Sequence, residues 1–128
     1  MLVLDTCALI FDALAPERPG ARAREAIETR DGLFIADITL WEVAMLAAKN
    51  RLRLRVPAAE FLAKALAGRP IKVVAISPAI AEIATTNPGF KDFDPADRLI
   101  GATALAGGAD LATCDGPLSA LPGLSIAW

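Results

Sequence analysis

The sequence contains no histidine and no tyrosine. Without imidazole there is no Ser-His-Asp triad, no imidazole general base and no His-ligated zinc centre. Cysteine is almost absent too, with Cys7 and Cys114 far apart in the chain. Two thiols are too few for an all-thiolate zinc site or a disulfide scaffold. They are read as small buried apolar residues, which fits a cytoplasmic setting. No apolar run reaches the about 18 residues of a membrane span. The opening MLVLDTCALIF lacks a basic region and carries Asp5 in its middle. It therefore reads as a first strand rather than a signal peptide. Nor is there a positive excess. The net charge is −2 and the pI about 5.1, unlike a strong non-specific DNA binder.

What is left for chemistry is carboxylates, hydroxyls, lysine, arginine and the thiols. Carboxylates are hard oxygen ligands suited to Mg²⁺ or Mn²⁺. The 128 residues are 55% hydrophobic, which predicts one globular domain spanning 1–128 with a real core. Charge is unevenly spread. Residues 1–72 hold 11 Lys/Arg against 9 Asp/Glu, whereas residues 73–128 hold 2 against 6. The first part offers a polyanion face and the second a cation site, although an ordinary solvated surface explains the charges equally well.

Apolar runs and breakers set the predicted elements. Leu2–Asp5 reads as a buried parallel strand and Thr6–Ala15 as the helix that follows. Ala21–Arg30 is a second helix. Leu33–Ala36 is the next strand, followed by a helix over Thr39–Asn50 with Leu40, Val43, Ala44 and Ala47 spaced by three and four. Ala58–Ala67 is helical between Pro57 and Gly68. Ile71–Ile76 is a β-branched strand, and Ser77-Pro78 opens a helix to about Thr86. A helix opens at Asp94-Pro95, followed by a strand over Leu111–Cys114 and a short turn or helix over Leu118–Pro122. Leu124–Trp128 is predicted as a final edge strand. The order points to an α/β fold, a three-layer α/β/α sandwich around a mostly parallel sheet. Ligands of such sheets bind outside the carboxyl ends of the strands. Asp5, Glu42, Asp97 and Asp115 all fall at that edge.

Each acid also has a plain structural explanation. Asp94 fits an N-cap, Pro95 the first helical position and Asp97 the acid of a capping box. Thr39-Leu40-Trp41-Glu42 matches the same box. Asp37 suits a cap for the helix after the second strand. Asp5 suits the cap of the helix it precedes, and Asp115 suits the turn at Gly116-Pro117. Capping accounts for the acids one by one but not for their convergence. Four carboxylates at one edge repel each other unless a cation sits among them.

The segments LDT at 4–6, TLWEVAMLAAK at 39–49, DPADRLIGATAL at 94–105 and LATCD at 111–115 resemble the PIN domain family. The likeness is greatest to the small bacterial VapC-type toxins. It implies an Mg²⁺- or Mn²⁺-dependent ribonuclease. Position by position, it makes Asp5, Glu42, Asp97 and Asp115 the catalytic and metal-binding acids, with Thr6 and Thr113 as supporting hydroxyls. It also implies a homodimer and a VapB-like antitoxin partner. Two positions depart from the usual pattern. Cys7 stands where relatives often carry histidine, and Asp37 where they often carry serine.

The mechanism implied is hydrolysis of RNA phosphodiesters by a metal-activated water, which needs no histidine. Lys49, Arg51, Arg53 and Arg55 form a basic run that suits the RNA backbone or a partner's acids. Trp41 reads as a core or dimer aromatic ahead of a base-stacking platform. Two rivals remain: a non-catalytic PIN-fold interaction module, and another Mg²⁺-dependent α/β phosphohydrolase. Phosphatases of the haloacid dehalogenase type need DxDxT, whose second acid is missing after Asp5. Receiver domains need paired acids near the first strand and a lysine after the last core strand, and neither is present.

Overall fold

A computed structural model describes residues 1–128. Its four strands are β1 (Leu2–Leu4), β2 (Leu33–Ala36), β3 (Ile71–Val74) and β4 (Asp110–Ala112). They form one fully parallel sheet in the order β3-β2-β1-β4. Seven helices surround it: α1 (Thr6–Leu14), α2 (Ala21–Thr29), α3 (Asp37–Ala48), α4 (Ala58–Gly68), α5 (Pro78–Thr86), α6 (Pro95–Gly107) and α7 (Gly116–Ser119). The α/β sandwich is as predicted.

The strands read as apolar runs because both faces are covered. Leu2 and Leu4 point into a cluster with Ala8 and Leu9 of α1, Ile27 of α2, Val43 of α3 and Phe61 of α4. Val3, between them, packs the other way against Ile100 and Ala104 of α6 and Leu118 of α7. Alternation along three residues thus joins two helical layers to one strand. Outside α6 lies a third cluster, where Ile80 and Ala84 of α5 meet Ala102 and Phe90. Phe90 closes a 3₁₀ turn over Pro88–Phe90. It packs so closely on α6 that a Cβ at Gly101 would stand 2.7 Å from its ring. Gly108 ends α6 in the left-handed conformation, φ 58°, which glycine adopts without strain.

Several predicted boundaries move, each for a visible reason. The expected edge strand Leu124–Trp128 is reduced to one bridge, Leu111 to Ile126. Only Ser125 and Ala127 bond to β4, both through Leu111, because β4 itself is three residues long. That strand stops at Ala112 and not Cys114. The Thr113 hydroxyl takes the Asp115 amide at 3.0 Å and turns the chain away. β3 stops at Val74 and not Ile76, where the Asp37 carboxylate holds the Ile76 amide at 3.0 Å. Asp37 therefore pins the exit of β3 and does not cap its own helix. α3 begins at Asp37, directly after β2, with Ala36 as an N-cap that has no side-chain bond.

The strand order places β4 beside β1 after the chain has wound from β1 through β2 to β3. The crevice between β1 and β4 is thus a topological switch point, open at the carboxyl ends of the strands. Asp5 follows one of these strands, and Asp115 lies three residues past the other.

Candidate active site

Asp5 sits in the N-cap of α1, and its Oδ1 accepts the Ala8 amide at 2.8 Å. The same oxygen accepts the Cys7 thiol at 3.0 Å. Its Oδ2 accepts a close hydrogen bond from the Thr113 hydroxyl. The residue is only 4% exposed. Burial pushes its carboxyl above the usual value, the bonds from Thr113, Cys7 and Ala8 oppose that, and the charge of Asp115 adds to it.

Glu42 reaches the same cleft from the second turn of α3. The capping-box reading of Thr39 and Glu42 fails, because the helix starts two residues before Thr39. Thr39 is instead fully buried on the inner face of α3, its hydroxyl 3.5 Å from that of Thr6. Glu42 Oε1 accepts the Thr6 hydroxyl at 2.5 Å. Burial raises the Glu42 carboxyl, the Thr6 bond opposes it, and the charges of Asp94 and Asp5 raise it further.

The N-terminus of α6 separates two neighbouring acids. Asp94 is the cap, with Oδ1 accepting the Asp97 amide at 3.0 Å. Asp97 makes no reciprocal bond to the Asp94 amide, so its carboxylate is left to the cleft. It is pushed up to about 7 by burial, then by the charges of Asp94, Asp115, Glu42 and Asp5. Asp115 caps α7, Oδ2 accepting the Leu118 amide at 3.0 Å. Its backbone amide returns to Thr113, whose hydroxyl also holds Asp5. One buried threonine thus ties the first acid to the last.

Asp5, Glu42, Asp97 and Asp115 line one cleft of about 410 Å³, with Thr6, Ile10, Leu46 and Ile100 among its other walls. No lysine or arginine is among the lining residues. No three of the acids are drawn into a ready-made cage for an ion. The donor set is nonetheless hard oxygen in a negative field, the chemistry that suits Mg²⁺ or Mn²⁺ with water completing the coordination. A bound cation would relieve the mutual repulsion of these carboxylates.

Other predicted residues fall elsewhere. Lys49, Arg51, Arg53 and Arg55 are exposed, in no ion pair, and outside the cleft lining. Leu52, Leu54 and Val56 alternate with the arginines and pack on the core. Trp41 is 58% exposed and is not a core residue. With Ile38 and Met45 it borders a second cavity of about 500 Å³ that shares Glu42 with the first. The cysteines also depart from expectation. Cys7 is half-buried, Cys114 is exposed, and both line the acidic cleft. Burial, then the Asp5 charge, pushes the Cys7 thiol well up, so it stays protonated and donates to Asp5. A sequence signal for this was present, since Cys7 stands two residues after Asp5 and Cys114 one before Asp115. Thr39 had no such signal, because its role depends on where α3 begins.

Known proteins share this architecture. The chain is 35% identical over 114 residues to Ribonuclease VapC22 of Mycobacterium tuberculosis, covering 89% of this chain and 86% of that protein. VapBC2 of Rickettsia felis, solved bound to a DNA fragment from its promoter, superimposes with a TM-score of 0.71 at 16% identity, covering 98% of this chain and 96% of that one. FitAcB of Neisseria gonorrhoeae does so with a TM-score of 0.69 at 20% identity, covering 100% and 97%. A toxin-antitoxin complex from Klebsiella pneumoniae gives 0.67 at 24% identity, covering 97% and 95%. At those identities the structural likeness speaks for the fold. Residues 2–124 match the PIN domain, which agrees with the strand order, the four converging acids and the 35% identity; the chain belongs to the PIN domain family.

Proposed function

We propose that this protein is a metal-dependent endoribonuclease and the toxin of a VapBC-type toxin–antitoxin pair, working in the cytoplasm. The observation that carries the reading is the convergence of Asp5, Glu42, Asp97 and Asp115 on one cleft without a basic residue in its lining. A relative named as a ribonuclease and relatives solved as toxin–antitoxin complexes support it.

In this reading the four carboxylates hold Mg²⁺ or Mn²⁺. When bound, the ion supplies an acidified water for attack and neutralises charge on the scissile phosphate. The chain's own residues prepare the ligands. Thr6 orients Glu42, and Thr113 fixes Asp5 while anchoring the turn that carries Asp115. Asp94 caps α6 and so sets the position from which Asp97 projects. Asp97, raised to about 7 by burial and the neighbouring carboxylates, holds a proton for part of the time near neutrality, and its ionised form would serve as a ligand to the cation. Lys49, Arg51, Arg53 and Arg55 contact the RNA backbone or the antitoxin's acids through charge that no internal partner consumes. The face formed by the exposed Trp41 with the half-buried Ile38 and Met45 takes the second copy of a homodimer. None of the helices is long and apolar enough to cross a membrane.

The test uses purified protein and single-stranded RNA. Cleavage is expected with Mg²⁺ or Mn²⁺, none with EDTA, and none for Asp5→Asn or Asp97→Asn. Cleavage that persists in EDTA, or in both variants, would overturn the assignment.

A further inference from the structure

The walls of the acidic cleft carry two groups that the ribonuclease reading leaves unused. Cys7 and Cys114 are 107 residues apart in sequence, yet their Sγ atoms lie 2.9 Å from each other. Cys7 is in the first turn of α1, held beside its cap residue by the thiol bond to Asp5. Cys114 lies between Thr113, buried and bonded to Asp5, and Asp115, which caps α7. The scaffold that presents the acids therefore also presents the two sulfurs to each other. One is exposed and the other half-buried, an arrangement in which an oxidant meets Cys114 first.

We propose that Cys7 and Cys114 form an oxidisable dithiol, which a peroxide converts to an intramolecular disulfide that lowers the activity of the adjoining carboxylate site. The effect on activity rests on the ribonuclease reading, whereas the crosslink does not. In the first step Cys114 Sγ attacks one peroxide oxygen and the O–O bond breaks. The products are Cys114 sulfenic acid and, with the thiol proton, one water. In the second step Cys7 Sγ attacks the sulfenic sulfur, the S–S bond forms and the S–O bond breaks. The Cys7 proton passes along its hydrogen bond to Asp5 Oδ1 and on to the departing hydroxide as a second water. Two thiols lose two electrons and one peroxide gains two. A thiol reductant reverses the step by exchange.

The disulfide acts on the site in two ways. It removes the thiol donor from Asp5 Oδ1, which keeps only the Ala8 amide. It also ties the start of α1 to the segment after β4, so Asp5 and Asp115 lose freedom to adjust around an ion. Loss of a supporting hydrogen bond at a metal ligand lowers activity about tenfold or more.

The experiment treats the protein with hydrogen peroxide, blocks remaining thiols with iodoacetamide and maps peptides without reductant. The expected product loses the mass of two hydrogens, takes up no alkylating agent and yields the Cys7 and Cys114 peptides joined. Its metal-dependent RNA cleavage falls about tenfold and returns with dithiothreitol. Cys7→Ser is expected to leave Cys114 as sulfenic or sulfinic acid, and Cys114→Ser to leave Cys7 unoxidised. Sulfinic acid at Cys114 in the unaltered protein with no joined peptide would overturn the proposal, as would a disulfide between two chains. Joined peptides with unchanged cleavage would overturn the control of activity. Joined peptides in a protein whose reduced form cleaves no RNA would leave the crosslink standing and remove the ribonuclease reading.

Discussion

Acids near the two ends of β4 meet opposite fates. Asp110, at the amino end, is held by Arg30 at 2.7 Å, and that hydrogen bond lowers its carboxyl below the ordinary value. Asp115 lies past the carboxyl end, in a cleft where Asp5, Glu42 and Asp97 are all raised. The residue type is the same and the sheet is the same. What differs is whether the chain supplies a cation. Asp110 is complete within the fold, whereas the cleft acids are complete only with something from outside. A carboxylate with its own arginine is part of the architecture, and a group of carboxylates with none is where an external cation belongs.

The largest effect should come from breaking the cation-seeking set. Asp97→Asn or Asp5→Asn is expected to lower metal-dependent RNA cleavage by about a hundredfold or more, beyond the loss typical of a merely supporting residue. Asp110→Asn, at the other end, should leave the cleavage rate within about twofold. Initial rates on one labelled RNA, with each variant checked for folding by circular dichroism, decide this. Equal losses at both ends would remove the distinction.

A smaller effect tests the support of that set. Thr113→Val keeps the shape of a fully buried residue and deletes its hydroxyl. Asp5 Oδ2 and the Asp115 amide both lose their partner. The variant should lose about tenfold in metal affinity or activity. It should also lose about 1–3 kcal/mol of stability from the unsatisfied groups, read from urea melts.

Much of this contrast was legible in the sequence, for a physical reason. Strands buried on both faces must be apolar, so β1 and β2 stand out as runs, and the breakers between them fix the order of elements. An acid just after such a run then has an address on the sheet without any contact being known. Asp5 and Asp115 are placed at one edge on that basis, and Glu42 and Asp97 by the opening turns predicted for their helices; one cleft is lined by all four. What was hidden depends on tertiary contacts. The Thr39-to-Glu42 spacing imitates a capping box, but α3 starts at Asp37 and buries Thr39 against Thr6. Asp37 looks like a cap and instead holds the end of β3, a partner 39 residues away. The final strand has the right composition, yet a three-residue neighbour gives it only one bridge. The arginine partner of Asp110 was equally invisible, being 80 residues distant.

The two ends should also separate by the sign of their pH dependence. Asp97 binds its proton more tightly folded than unfolded, so its contribution to stability is full below 3.8 and is lost as pH rises through about 7. The raised Asp5 and Glu42 act in the same direction. In EDTA the melting temperature should therefore fall between about pH 5 and pH 8. Added Mg²⁺ or Mn²⁺ should flatten that fall by binding the ionised folded form. A metal-free profile with no fall through neutrality would remove the repulsion on which the cation argument stands.

Asp110 should show the reverse slope and the smallest amplitude. Its carboxyl is lowered, so its contribution is present above the unfolded value of 3.8 and is lost as pH falls. The pair is about a third exposed on both sides, so water screens much of the attraction. Asp110→Asn should cost under about 1 kcal/mol at neutral pH, and nothing once the acid is protonated. Salt should erode the difference further, because exposed pairs are screened. Asp97→Asn should do the opposite. That substitution removes a repelled charge and should raise the metal-free melting temperature at pH 8 even as it abolishes cleavage. One strand would then separate an acid that stabilises the fold from acids that burden it, and only the burdened ones would be needed for activity.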